Sequence, residues 1–161
     1  MRSIFFISGG FDSGKTTRLI KKFNDLPKGA ADGFACVKVY NDEKKTIGYA
    51  LKRLSTHEEL MFIYDKKFYD HSFDESFEFE RFIFSKHVLS YVADIIEKAL
   101  HDPNIKTLFL DEIGTLELND SGFGDILKRM LRSNKDLYLG INDRHLETMS
   151  DKYDIKQYRC I

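Results

Sequence analysis

Ser3-Ile4-Phe5-Phe6-Ile7-Ser8-Gly9-Gly10-Phe11-Asp12-Ser13-Gly14-Lys15-Thr16-Thr17 is the stretch that decides the fold. An apolar run of strand length ends in a glycine-rich turn, and a helical pattern opens at Lys15 and runs to about Phe23. Residues 9–16 fit G-x-x-x-x-G-K-[ST] at every fixed position, in the strand–loop–helix setting that gives this spacing its meaning. Phosphate oxygens carry dense negative charge, and consecutive backbone N–H groups of a tight loop converge on them where glycine permits the backbone angles. The helix that follows adds its free N–H groups and the positive end of its dipole. The cradle is therefore Gly9, Gly10, Phe11, Asp12, Ser13 and Gly14. The Lys15 ammonium is expected to bridge the β- and γ-phosphates, the Thr16 hydroxyl to complete a magnesium shell, and Thr17 to touch the α-phosphate. The implied ligands are a nucleoside triphosphate, ATP or GTP, and Mg2+.

Working outward, Thr107-Leu108-Phe109-Leu110-Asp111-Glu112 is a second apolar strand, and it ends in two acids. Parallel sheets deliver ligand groups at the carboxyl ends of their strands. Asp111 is expected to hold magnesium, through a water, and Glu112 to polarise a water aimed at the γ-phosphate. Alone, an apolar strand with terminal acids means little; beside a phosphate loop it gains this reading. Arg144 offers a guanidinium for charge developing on the γ-phosphate, although an arginine that merely opens a surface helix is the plainer account.

The rest of the chain alternates strands and helices. Gly33 to Tyr40, a polar turn over Asn41 to Lys45, and Thr46 to Leu51 read as a hairpin. Val88, Leu89, Val92, Ile95, Ile96 and Ala99 recur at helical spacing within Lys86 to Leu100. Phe123 to Leu131 repeats that pattern. Leu137 to Ile141 reads as a strand, Arg144 to Met149 as a short helix, and Ile155 to Cys160 as a closing strand. These elements predict a three-layer α/β P-loop fold with a largely parallel central sheet and an inserted β-hairpin, one domain over residues 1–161. The stretch from Leu60 to Phe84 has no assignment. It holds nine rings among carboxylates, which reads mainly as packing and otherwise as a lid, a base-stacking wall, or a surface for a protein partner or self-association through residues 62–84.

Composition sets limits. The 25 basic and 26 acidic side chains leave a formal charge of −1, so no global field argues for nucleic acid or an anionic membrane as partner. No apolar run approaches the roughly 18 residues of a membrane span, and Ile4 to Ile7 is too short for a signal peptide. A cytoplasmic protein is expected, with Cys36 and Cys160 as two reduced core thiols. The five histidines show no ligand spacing for zinc. Lys128, Arg129 and Arg132 read as a solvated helix face.

Asp111-Glu112-Ile113-Gly114-Thr115-Leu116-Glu117-Leu118 resembles the D-E-I-G-K-M-E-L signature of the small cancer-related nucleoside-triphosphatase family. The resemblance covers most of the chain. Gly33-Phe34 and Ile47-Gly48-Tyr49 are similar to that family's hairpin, and Phe123 to the phenylalanine after its signature. The resemblance implies a nucleotide-kinase-like P-loop fold and slow hydrolysis of several nucleoside triphosphates with magnesium. By position it puts Lys15 and Thr16 on phosphate and magnesium, Asp111 on magnesium and Glu112 on the attacking water. Glu117 falls on the family's second glutamate. Thr115 replaces the family's lysine, Phe11-Asp12-Ser13 its Pro-Gly-Val, and Lys38 stands near its hairpin arginine, the marks of a divergent branch.

Three functions follow. A hydrolase transfers the γ-phosphoryl group to water. A small nucleotide or metabolite kinase needs an acceptor pocket and an arginine-rich lid, and the eight arginines here are scattered. A non-catalytic switch binds nucleotide and signals through the aromatic segment.

Overall fold

The computed structural model describes residues 2–10 and 13–161. It contains one nine-stranded sheet with helices on both faces. Strand β1 is Ile4–Gly9 and helix α1 is Lys15–Asn24. An antiparallel hairpin follows, β2 (Ala31–Tyr40) with β3 (Thr46–Arg53). Strands β4 (Glu59–Asp65), β5 (Ser76–Phe79) and β6 (Phe82–Ser85) extend it. Helix α2 is Lys86–His101, and its first turn is capped by Ser85, whose hydroxyl accepts from Val88 N at 3.2 Å. Then come β7 (Thr107–Ile113), the short α3 (Thr115–Leu118), α4 (Gly124–Arg132), β8 (Asp136–Asn142), α5 (Leu146–Lys152) and β9 (Arg159–Cys160).

The spatial order is β5-β6-β4-β3-β2-β7-β8-β1-β9. The five strands from β2 to β9 run parallel, and β5, β6, β4 and β3 form an antiparallel wing on β2. The inserted hairpin is thus the root of this wing. β8 lies between the strand that feeds the phosphate loop and the strand that carries the two acids.

The central strands read as continuous apolar runs because both of their faces are covered. Alternation sorts them. Phe6, Leu108, Leu110 and Leu139 join the large core under α2 and α4, while Ile7 and Phe109 turn to the other face, against Leu19 of α1. On the α1 face, Phe5, Tyr138 and Phe109 stack across three adjacent strands with ring centroids 4.6 and 4.7 Å apart.

Packing accounts for part of the aromatic segment: Phe62 and Phe84 sit in the core, and Phe77, Phe79 and Phe82 pack against it. Phe62 and Phe84 are buried, the other seven rings are half-buried, and Phe77 stacks on Phe84 at 5.1 Å. Along edge strand β5, Phe77 and Phe79 turn inward while Glu78, and Glu80 in the turn that follows, face water, a charged edge that discourages pairing with another chain. The exposed large apolar side chains among the described residues are Tyr40, Tyr158 and Ile161, all outside this segment.

Two expectations are corrected. The closing strand shrinks to Arg159–Cys160, because only these residues pair with β1, at Phe5 and Phe6. Cys160 is not a core thiol: it is exposed on that edge strand, whereas Cys36 is buried. No helix among the described residues is long and apolar enough to cross a membrane.

Candidate active site

The phosphate loop ends at Gly14, which takes a left-handed conformation (φ 82°, ψ 21°) and opens α1 without any side-chain cap. Helix starts normally satisfy their free N–H groups with a side chain. Here the first turn holds no acid, and Lys21 and Lys22 sit in the last turn, so the N-terminus keeps its full anion-binding character. Gly9 closes β1, Ser13 N donates to Gly10 O at 3.2 Å, and Thr17 is exposed on the first turn. Phe11 and Asp12 lie outside the described residues.

Strand alternation places Asp111 on the α1 face, one residue beyond Leu110 on the opposite face. There its carboxylate is fully buried and accepts from Thr16 Oγ1 at 2.7 Å, from Cys36 N at 3.0 Å and, through Oδ1, from Glu112 N at 2.9 Å. Burial pushes Asp111 up to about 6, the neighbouring Glu112 carboxylate adds to the rise, and these hydrogen bonds oppose it. Burial also raises the Cys36 thiol.

A regular strand would send Glu112 to the far face. Instead β7 bulges: Leu110 pairs with Leu139 and Ile113 with Ile141, so two residues oppose Gly140 alone. Glu112 adopts φ 60°, and its carboxylate returns to the α1 side, where Oε1 lies 3.3 Å from Lys15 Nζ. Bulges of this kind re-aim a side chain. Lys15 is buried, and the Glu112 side chain is 46% exposed, open to solvent where a phosphate chain would arrive. The structure thus brings together Lys15, Thr16, Asp111 and Glu112, which lie nearly 100 residues apart in sequence.

The profile of the NTPase family matches residues 4–160. The chain belongs to the NTPase family. It is 24% identical over 152 residues to the nucleoside-triphosphatase THEP1 of Methanocaldococcus jannaschii, covering 93% of this chain and 84% of that protein. Its fold matches the solution structure of a human cancer-related nucleoside triphosphatase with a TM-score of 0.66 at 20% identity, covering 99% of this chain and 88% of the other.

Within this NTPase, Gly140 of β8 makes room for the acid pair. A Cβ at that position would lie 2.1 Å from Asp111 Oδ1. Gly140→Ala is expected to displace the carboxylate from Thr16, and a steady-state phosphate-release assay is expected to fall about tenfold to a hundredfold, as when a partner that orients a ligand group is lost.

Glu117 is the residue whose part sequence reading left open. It is buried on α3, and its two carboxylate oxygens accept from Gly114 N at 2.6 Å and from Phe123 N at 2.9 Å. Gly122, at φ 60°, leaves the space, since a Cβ there would meet Glu117 Oε2 at 2.2 Å. The carboxylate ties the segment after Glu112 to the start of α4. Burial pushes Glu117 up to about 7 from an ordinary 4.5 against the pull of its two N–H donors. The folded NTPase therefore binds this proton more tightly than the unfolded chain, and the extra stability is present below about pH 4.5 and lost as pH rises to about 7. Denaturation of the ligand-free protein is expected to lose about 2–3 kcal/mol over that window through this group, with the slope reduced in Glu117→Gln.

Arg144 follows β8 in a 3₁₀ turn over Asp143–His145, set by Asn142, whose side chain accepts from Arg144 N at 3.1 Å. The Arg144 side chain is exposed and its Nε lies 3.3 Å from His145 Nε2. His145 has no part in the site by sequence reading, which considers it only as a zinc ligand and finds no ligand spacing. It stands 3.4 Å from the Thr115 hydroxyl, and burial, then Arg144 and more weakly Lys15, lower its pKa, so it lies within electrostatic reach of the phosphate-loop lysine. Its only sequence signal was adjacency to Arg144.

Proposed function

We propose that this NTPase hydrolyses nucleoside triphosphates to the diphosphate and phosphate in a magnesium-dependent reaction at the loop of residues 9–16. The observation that carries the reading is the convergence of Lys15 with Glu112 and of Thr16 with Asp111 around one uncapped helix start. The loop amides and Lys15 bind the phosphate chain, and Thr17 takes the α-phosphate. Glu112 orients a water and accepts its proton as the water oxygen bonds to the γ-phosphorus and the bond to the β,γ-bridging oxygen breaks. Lys15, and Arg144 from the neighbouring turn, offset the charge on the transferred group.

The residues fit magnesium. The Thr16 hydroxyl and the Asp111 carboxylate are hard oxygen donors, and the described residues contain no cluster of three or more His, Cys, Asp or Glu side chains that would favour another metal. Magnesium is typically held by one or two carboxylates together with waters and substrate phosphates. When bound, the ion would neutralise phosphate charge, with Thr16 and Asp111 holding it.

Phosphate release from ATP, GTP, CTP and UTP, with magnesium and with excess chelator, tests the reading without any added acceptor. Release that depends on magnesium is the expected result. Nucleotide binding with no release above the chelated blank overturns it, and the kinase and switch readings take its place.

A further inference from the structure

One cavity of the protein lies away from the phosphate loop. It occupies about 590 Å³ at the opposite end of β1, beside Ile4, between α4, α5 and the segment that follows α5. Five strand steps separate Ile4 from Gly9, so the two places are about 17 Å apart along β1. Arg2, Lys128, Arg132, Lys152 and Lys156 line it against a single lining carboxylate, Asp154. The chain as a whole is nearly neutral, so this accumulation of positive charge is local.

Internal pairing leaves much of that charge uncompensated. Lys152 lies 3.0 Å from Asp120, Lys128 reaches the same carboxylate only at 3.9 Å, and Lys156 stands 3.8 Å from Asp154. The Arg2 guanidinium donates to Ser133 O at 3.2 Å, and that of Arg132 has no hydrogen bond or ion pair among the described residues. Five cations thus face two carboxylates in a concave surface, a shape that focuses positive potential. The lining also has an apolar part, Ile4, Leu131, Ile155 and the ring of Tyr153. Tyr153 is held in place because its hydroxyl donates to Glu117 O at 2.7 Å.

We propose that this cavity is a second anion site, separate from the phosphate loop, that takes a nucleoside phosphate: phosphates on the cations, base on Tyr153 and the apolar residues. The volume is that of a small-molecule site. An occupant would contact Tyr153 and so the backbone of Glu117, whose carboxylate tethers Gly114 two residues beyond Glu112.

The test is a backbone amide NMR titration of the full chain with ADP, and separately with inorganic tripolyphosphate, at 150 mM salt without magnesium. Saturable shifts are expected at residues 128–132 and 152–157 in addition to those at 9–17. Lys128→Ser with Arg132→Ser is expected to weaken the first set at least tenfold and leave the second unchanged. ADP binding the first set more tightly than tripolyphosphate identifies the nucleoside; equal or weaker ADP binding overturns the base-stacking part and leaves a phosphate site. Shifts confined to 9–17 and 111–117, or a first set indifferent to the double variant, overturn the site altogether.

Discussion

Glu112→Gln is expected to lower the turnover number for phosphate release by about 10²- to 10⁴-fold, the range for losing a positioned general base, while nucleotide affinity stays the same or rises a few-fold. The asymmetry comes from the pair Lys15–Glu112 at 3.3 Å. In the ligand-free protein Glu112 is paired with the lysine proposed to bind the phosphates. In the proposed reaction an arriving nucleotide draws Lys15 away, and in doing so it frees the carboxylate for a water. Glutamine keeps the shape, no longer holds the ammonium as an ion partner, and accepts no proton. Equilibrium binding of a non-hydrolysable analogue, read with single-turnover phosphate release, separates the two effects. Loss of binding in parallel with turnover, or turnover within threefold of the unmodified protein, sinks the role given to Glu112.

The backbone supplies an independent check on the same residue. Glu112 sits at φ 60°, a conformation that costs a non-glycine side chain of order 1 kcal/mol or more. Glycine carries no such penalty there. Glu112→Gly is therefore expected to leave stability unchanged or raise it while removing activity. Lys15 is buried, but the Glu112 end of the pair is 46% exposed and solvent-screened, so its loss costs at most about 1 kcal/mol, comparable to the relief of strain. A residue kept in an unfavourable conformation whose removal does not harm the fold is held there for chemistry.

Local signals in the sequence carried β1, the phosphate loop, α1 and the apolar run into Asp111, because each is a contiguous stretch whose chemistry and periodicity coincide. The hairpin of β2 and β3 was legible for the same reason. What escaped depends on which strand lies beside which. That Gly140 clears space for Asp111 follows only once β8 is seated next to β7. The bulge that turns Glu112 back toward Lys15 is a mismatch between two strands, and neither strand alone contains it. The wing strands β4, β5 and β6 were obscured because their rings are spaced for contacts within the sheet and with α2 and α4, as Phe62 meets both Phe84 and Phe123. His145 joins the site through a 3₁₀ turn, too short to leave a periodic trace.

Glu117→Ala is expected to cost about 3–4 kcal/mol and to lower the melting temperature by about 8–14 °C in a chain of this size. Two backbone N–H groups, Gly114 N and Phe123 N, share this one carboxylate as acceptor. Each orphaned buried donor costs about 1–3 kcal/mol, whereas the lost methylenes are few. Phe123 N opens α4, whose Leu127 and Met130 are fully buried, so the loss falls on the large core as well as on the loop. Gly114 follows Ile113 at the end of the bulged strand, so the same substitution loosens the backbone that aims Glu112. Activity is expected to fall with stability even at temperatures where the variant remains folded, without a change in the magnesium concentration needed for half-maximal rate, since Asp111 and Thr16 keep each other. Glu117→Gln retains one acceptor oxygen and is expected to fall between the two, at about 1–2 kcal/mol. A Glu117→Ala protein that melts within 2 °C of the unmodified one would mean that water replaces the carboxylate, and the tether between the site and α4 would then have to lie elsewhere.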